Sequence, residues 1–513
     1  MLVKTYGSAV SGIDAFTVTM EVNISAGIKF FLVGLPDSAV KESEQRIDSA
    51  IRENGWKYPQ QRIVINMAPA DIRKEGSAYD LPLAVGILAA SGQCATERLG
   101  KYIMMGELSL DGQLKAIKGV LPMALKAKAE GFDGFIVPRA NAKEAAVVEG
   151  LKVYGADTLK EVVEFLCGDA GVISETVIDT EAEFNRQNAD DTLDFADVKG
   201  QENVKRALEI AAAGGHNILL IGSPGSGKSM MAKRLPSILP PLTLEEALET
   251  TKIHSVAGNI KSEMALMTTR PFRSPHHTIS DVALVGGGTY PQPGEISLSH
   301  NGVLFLDELP EFKRSVLEVM RQPLEDRRIT ISRSKFSVEY PASFMLVASM
   351  NPCPCGYFNS PSRRCTCGSG QVQKYLGRIS GPLLDRIDLH IEVVPVPVGK
   401  LNDAPCGEPS SEIRKRVVAA RAIQSERFKR SKGVHCNAQM TPRMLSTYAK
   451  PDAQGQTVLK MAMDKLGLSA RAYDRILKVA RTIADLDKSE TVTALHISEA
   501  IQYRSLDRDT WGN

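Results

Sequence analysis

Residues 217–235 read NILLIGSPGSGKSMMAKRL, and this stretch decides the fold. The apolar run NILLI (217–221) reads as a buried strand, and MMAKRL (230–235) as the first turns of a helix. Between them GSPGSGKS fits the GxxxxGK[ST] pattern in the strand–loop–helix setting that the pattern requires. Gly222, Gly225 and Gly227 let backbone N–H groups turn inward, and Ser223, Pro224 and Ser226 complete the cradle for phosphates. Lys228 is placed to reach the β- and γ-phosphates of a nucleotide, and Ser229 to offer its hydroxyl to Mg²⁺. The helix that starts here turns its positive end toward the anion. A Gly-rich turn without a ligand does not explain why strand, loop and helix arrive in that order.

Two further apolar runs end in polar residues of the matching kind. VLFLDE (303–308) reads as a central strand with two carboxylates at its tip. Asp307 is expected to hold Mg²⁺, and Glu308 to orient and deprotonate an attacking water. Alone, an apolar strand ending in Asp-Glu is common and a solvated strand end is the simpler reading. Some eighty residues after a phosphate loop, it is specific. FMLVASMNP (344–352) delivers Asn351 at the end of another buried strand, where it would position that water. The competing reading is a plain Asn–Pro turn.

Composition bounds the rest. The chain has 513 residues, enough for about three domains. Lys and Arg number 62 against 60 Asp and Glu, a net charge of +2, so any basic surface must be local. No run of 18 or more apolar residues occurs, so no membrane span is expected. MLVKTYGSAVSGIDAF (1–16) lacks the apolar stretch of a signal peptide, and eight cysteines without an export signal fit a reducing cytoplasm.

Along the chain, residues 1–168 alternate β-like runs (AFTVTMEVNIS, QRIVINMAP, KYIMMGELSL, GFIVP) with helical stretches, which reads as an α+β or α/β domain. Residues 169–194 are acidic and weakly periodic and read as a linker. Residues 195–400 form the α/β nucleotide-binding core, and 401–513 are almost all helical. No repeat of fixed period is present.

At longer range the chain resembles an AAA+ ATPase of the magnesium-chelatase-like branch, and specifically the ComM/YifB family. The resemblance rests on FRSPHHTISDVALVGGGTYPQPGEISLSHNGVLFLDELPEF (272–312), MNPCPCG (350–356) and RISGPLLDRIDLHIEV (378–393). It implies an α/β P-loop core with a C-terminal helical lid and makes Asn351 the sensor-1 residue. Arg386 in LLDRID resembles the arginine finger that completes a neighbouring subunit's site, and Arg471 in GLSARAYDR the sensor-2 arginine of the lid. Arg378 is a weaker candidate for either duty, and a surface salt bridge is the alternative for each. A finger acting in trans implies an oligomeric ring, in this family a hexamer. The family also implies an ATP- and Mg²⁺-dependent DNA motor, a helicase promoting branch migration in natural transformation and recombination. A chelatase-like ATPase that remodels a protein partner is the alternative, and it shares every ATPase residue.

Local features permit DNA as the partner. ITISRSKFSVEY (329–340) reads as a hairpin whose turn carries Arg333, Ser334 and Lys335, suited to sequence-independent phosphate contacts, or else a solvated tip. In the insert-like segment 272–290, Arg273, His276 and His277 face either a pore or a subunit boundary. The basic stretch from Arg414 to Lys432 reads as a solvated helix face.

Cys353, Cys355, Cys365 and Cys367 read C-x-C-x9-C-x-C. Four thiolates can close a tetrahedral structural Zn²⁺ site, and reduced unliganded thiols are the alternative. Cys94, Cys167, Cys406 and Cys436 are scattered and read as inert. The segments 66–90 and 106–138 resemble the Lon-protease-like (S5-like) fold. In that resemblance Ala78 takes the nucleophile position, with Ser77 one residue early, and the lysine position falls near Leu121, with Lys118 close by. The expected reading is a non-catalytic scaffold, with an ATP-dependent protease as the rival.

Overall fold

A computed structural model of the chain describes residues 2–185, 193–288, 291–333, 336–358, 363–396, 407–431 and 433–504. The chain divides into two units, Met1–Gln187 with Thr243–Thr268, and Asn188–Leu242 with Thr269–Asn513.

In the first unit a seven-stranded mixed sheet has the order β3-β4-β2-β1-β5-β6-β7. The strands are β1 (Leu2–Ser11), β2 (Asp14–Ser25), β3 (Phe30–Val33), β4 (Arg62–Ala68), β5 (Tyr102–Met104), β6 (Gly134–Pro138) and β7 (Lys152–Ala156). β1 and β2 form a hairpin in register from Leu2↔Asn23 to Ser11↔Asp14. In β2 the buried Val18, Met20, Val22 and Ile24 alternate with less buried residues, as one buried sheet face requires. Helix α1 (Asp80–Ala90) is buried on every side and packs on β1 and β2. Gly86 permits that approach, since a Cβ there would lie 2.7 Å from Val22 Cγ2. Part of the acidic stretch read as linker belongs to this unit. Ile173 is buried, and Thr176 N donates to Val153 O at 2.8 Å.

Thr243–Thr268 comes from the middle of the nucleotide-binding sequence, yet it packs in this first unit. Its helix, Leu244–Ala257, opens on a capping box of Thr243 and Glu246. The helix seats on α2 (Val120–Ala129), where Gly119 N donates to Ser255 O at 3.0 Å. Glu144 joins the two, accepting from Leu121 N at 2.9 Å and from the Ser255 hydroxyl.

The second unit is built on a five-stranded sheet in the order β9-β10-β13-β8-β14. Its strands are β8 (Ile218–Ile221), β9 (Phe272–Arg273), β10 (Val303–Leu306), β13 (Met345–Met350) and β14 (Leu389–Glu392), all paired in parallel. The intervening β11 (Arg328–Arg333) and β12 (Phe336–Pro341) form a separate antiparallel hairpin. β8, β10 and β13 are buried along their whole length, as parallel strands covered on both faces must be. Helix α3 (Glu202–Gly214) packs against α6 (Ser410–Phe428) and α7 (Ala470–Leu486). The C-terminal helices thus share one hydrophobic core with the sheet. Two shorter helices frame the site: α4 (Lys228–Arg234) follows the phosphate loop, and α5 (Ser369–Leu376) follows the cysteine cluster.

Candidate functional site

Strand register gathers the predicted residues. Ile221 pairs with Met350, and Leu306 with Ala348. The next residues along these strands, Gly222, Asp307 and Asn351, therefore leave the carboxyl edge of the sheet together. The loop from Gly222 to Ser229 needs its glycines. Gly225 and Gly227 have φ of 77° and 92°, and a Cβ on Gly222 would lie 2.4 Å from Val393 O.

A cavity of about 440 Å³ opens over this edge. It is lined by the loop from Pro224 to Met230, by Asp307 and Glu308, and by Ser349, Met350 and Asn351. The size and the Gly-rich cradle fit a nucleotide. Lys228 Nζ donates to Gly222 O at 2.7 Å, Ser223 O at 3.0 Å and Asn351 Oδ1 at 3.2 Å. Burial lowers the Lys228 pKa, while Asp307 and Glu308 act against that shift. Ser229 Oγ donates to Asp307 Oδ2 at 2.7 Å. The Ser349 hydroxyl donates to the other carboxylate oxygen, which also accepts Glu308 N at 3.1 Å. The hard oxygens of Ser229 and Asp307 suit Mg²⁺. Sequence reading passed over Ser349. Its place on β13 opposite Asp307 was available only from strand register.

Glu308 turns away from the strand with a φ of 54°. His277 Nδ1 lies 3.7 Å from Glu308 Oε2, with the His276 ring tilted against His277 at 4.1 Å between centroids and Phe312 edge-on to it. His277 thus lies beside Glu308 at the rim of the cavity. Arg273 instead forms a two-pronged pair with Glu295 at 2.6 Å.

The three arginine candidates lie outside the cavity lining. Arg386 is 7% exposed, with Nη2 2.5 Å from Glu325 Oε1 and Nη1 donating to Pro382 O at 2.5 Å. Arg471, well exposed, is 3.4 Å from Asp385 Oδ2. Arg378 is 2.9 Å from Glu311 Oε2.

A buried network missed by the sequence reading connects three of these elements. His216, just before β8, contacts Asp388 Oδ2 at 3.3 Å and Thr482 Oγ1 at 2.7 Å. Asp388 also accepts Asn217 N at 3.1 Å and Arg475 Nη1 at 2.9 Å. Asn217 Nδ2 donates to Arg386 O at 3.0 Å, and its Oδ1 accepts Leu346 N at 2.9 Å. The base of the phosphate-loop strand is thereby tied to the Arg386 turn, to the Asn351 strand and to α7.

The four clustered cysteines converge. Their Sγ atoms all lie within 4.8 Å of one another. The hairpin forms as read, but Ser334, Lys335 and the Arg333 side chain lie outside the described residues, as do Cys406 and Lys432. The basic stretch is only partly the solvated face expected of it. Arg416 pairs with Glu209, Arg421 donates to Ala212 O, and Arg427 pairs with Asp485. In the first unit Ala78 is half-buried, Leu121 is buried, and the Ser77 hydroxyl is bound by Glu107. Among the described residues no helix is long and apolar enough to cross a membrane.

Comparison with known proteins agrees along the chain. Residues 194–422 match the family described as magnesium chelatase, subunit ChlI. Residues 20–141 match subunit ChlI of Mg-chelatase, and 407–504 match the C-terminal part of that subunit. Competence protein ComM of Haemophilus influenzae is 45% identical over 511 residues, covering 99% of this chain and 98% of that protein. The protein YifB of Escherichia coli is 44% identical over 502 residues, 98% of this chain and 96% of its own. The magnesium-chelatase 38 kDa subunit of Rhodobacter capsulatus is 26% identical over 177 residues, 31% of this chain and 50% of its own.

Proposed function

Because the chain belongs to the magnesium-chelatase-like ComM/YifB family, we propose that it is a ring-forming AAA+ motor that hydrolyses ATP to move DNA. One observation carries the ATPase reading: Lys228, Ser229, Asp307, Glu308 and Asn351 all line one cavity at the carboxyl edge of one parallel sheet. Lys228 and the loop N–H groups bind the phosphates. Ser229 and Asp307 would hold Mg²⁺, which would neutralise charge on the phosphates. Glu308 takes the proton of the attacking water, and Asn351 orients that water.

Arg386 is assigned as the finger of a neighbouring subunit's site and Arg471 as the sensor-2 residue, which makes the working form an oligomer, a hexamer by family resemblance. DNA is assigned as substrate because a relative 45% identical is named a competence protein. The β11–β12 hairpin, with Arg333 and Lys335, is its proposed contact, and branch migration the proposed task. The first unit is read as a Lon-like scaffold without protease activity, since Ala78 and Leu121 stand at the dyad positions, and the C-terminal helices as the lid. The four-cysteine cluster is read as a structural zinc site, and the cytoplasm as the location.

The test is ATPase rate with and without single-stranded and branched DNA, alongside a mass measurement in ATP. Stimulation by DNA and a ring-sized mass support the motor. DNA affinity should fall steeply with salt, as phosphate contacts release counterions. Hydrolysis indifferent to DNA but dependent on a protein partner would favour the chelatase-like alternative.

A further inference from the structure

The cysteine cluster sits beside the catalytic machinery. Cys353 follows Asn351 by two residues. Cys353 and Cys355 Sγ are 3.3 Å apart, Cys353 and Cys365 3.7 Å, and Cys355 and Cys365 3.5 Å. A disulfide needs about 2.05 Å, and none of these cysteines forms one. Tetrahedral zinc–thiolate bonds of about 2.3 Å place neighbouring sulfurs about 3.8 Å apart, close to the separations seen. Cys353 is buried and the other three are half-buried, in a segment whose sequence is rich in polar residues.

Both ends of this segment touch the nucleotide site. Gly356, directly after Cys355, has a φ of 84° and lies against the phosphate loop. A Cβ there would come within 2.5 Å of Pro224 Cδ and 2.8 Å of Pro224 Cγ. After Cys367 the chain enters α5, whose Tyr375 hydroxyl lies near enough to the Asn351 backbone for that backbone to act against the rise in its pKa caused by burial. Asn351 before the thiols and Tyr375 after them are therefore neighbours.

We propose that Cys353, Cys355, Cys365 and Cys367 hold one zinc ion that braces the nucleotide site, fixing Asn351 and backing Pro224 through Gly356. The bracing rests on the reading of this cavity as the ATP site. Metal closes the loop in place of an apolar core, and a closed loop loses less order on binding nucleotide. Without zinc, Gly356 is free to leave Pro224, and the phosphate loop loses its support on that side.

Three measurements on the full-length chain test this. Metal analysis of protein purified without chelator should find about one zinc per chain. Cys365→Ser should lose the zinc and bind a fluorescent ATP analogue about tenfold more weakly. Gly356→Ala should keep the zinc and weaken nucleotide binding similarly, because its Cβ displaces Pro224. That variant guards against misfolding of the cysteine substitution. A native chain with no zinc, or with iron, overturns the site. Zinc lost in Cys365→Ser with nucleotide affinity unchanged there and in Gly356→Ala overturns the bracing and leaves the metal site standing. Lys228→Ala is the control for the cavity: undiminished nucleotide binding in that variant refutes the ATP-site reading itself.

Discussion

Ser229 Oγ and Asp307 Oδ2 stand 2.7 Å apart, so the two oxygens assigned to Mg²⁺ hydrogen-bond each other directly. Ser349 and Glu308 N hold the other oxygen of the same carboxylate. Asp307 is thus oriented before any ion arrives. Ser229→Ala should raise the Mg²⁺ concentration for half-maximal ATPase by about tenfold. Asp307→Asn should leave no measurable hydrolysis at any Mg²⁺ concentration. A magnesium titration of both variants checks this, and wild-type titration by Asp307→Asn contradicts the assignment.

Glu308→Gln should bind ATP as the native chain does while kcat falls by about 10²–10⁴. Normal turnover would remove Glu308 from the mechanism. His277 gives the Glu308 side chain a fixed neighbour on an otherwise exposed turn. His277→Ala should therefore lower kcat several-fold with KM unchanged, since a misplaced base costs rate and not binding. Unaltered kcat would make the contact incidental.

Arg386 is held inward by Glu325. Acting on a neighbour's site requires that pair to open. Arg386→Ala should bind nucleotide normally and lose about 10³–10⁵ in rate. Mixing Arg386→Ala with Lys228→Ala subunits should restore part of the activity, because some native loops then meet native fingers. Mixtures as inactive as their components would argue that the finger lies elsewhere.

Asp388 and His216 predict an acid-sensitive fold. Burial pushes the Asp388 carboxyl up, but Arg475 and then His216 outweigh it and hold the pKa below its ordinary 3.8. Burial likewise pushes the His216 imidazole below 6.5 against the pull of Asp388. Both folded pKa values are lowered. The unfolded chain therefore takes up protons that the folded chain refuses, first at His216 and then at Asp388. Their contribution is complete above about pH 6.5 and declines as the pH falls. The Tm should be level above pH 7 and drop toward pH 4. Asp388→Asn should lower stability at pH 7 by about 3–5 kcal/mol, because Arg475 keeps its charge and loses its partner. A Tm independent of pH between 4 and 7 would contradict this account.

The cavity was legible because each part is written locally. A buried strand shows as an apolar run, and the residue that ends the run is by necessity at the sheet edge. NILLI-Gly222, VLFL-Asp307 and VASM-Asn351 all obey that rule. Ser349, His277, Asn217 and Asp388 were not legible as partners, since their roles depend on which strand lies beside which. The placement of Thr243–Thr268 was equally hidden. Its helix reads as an ordinary capped helix, and nothing in its own residues names Glu144 and Gly119 as the surface it meets. The acidic stretch shows the converse, a polar composition masking the anchors Ile173, Thr176 and Thr180.

The placement of that helix also governs how the chain can be divided. The polypeptide passes from one unit to the other at 187/188, 242/243 and 268/269. Neither unit is a contiguous gene segment. A protease that nicks the acidic stretch leaves the 243–268 piece of the first unit on the C-terminal fragment, and an expression clone beginning near residue 195 carries Leu244–Ala257 with its apolar face stripped of α2. Separating the two units cleanly takes a deletion of 243–268 and its transplantation onto the N-terminal piece. Domain swaps within the family therefore have to exchange the two segments as a pair.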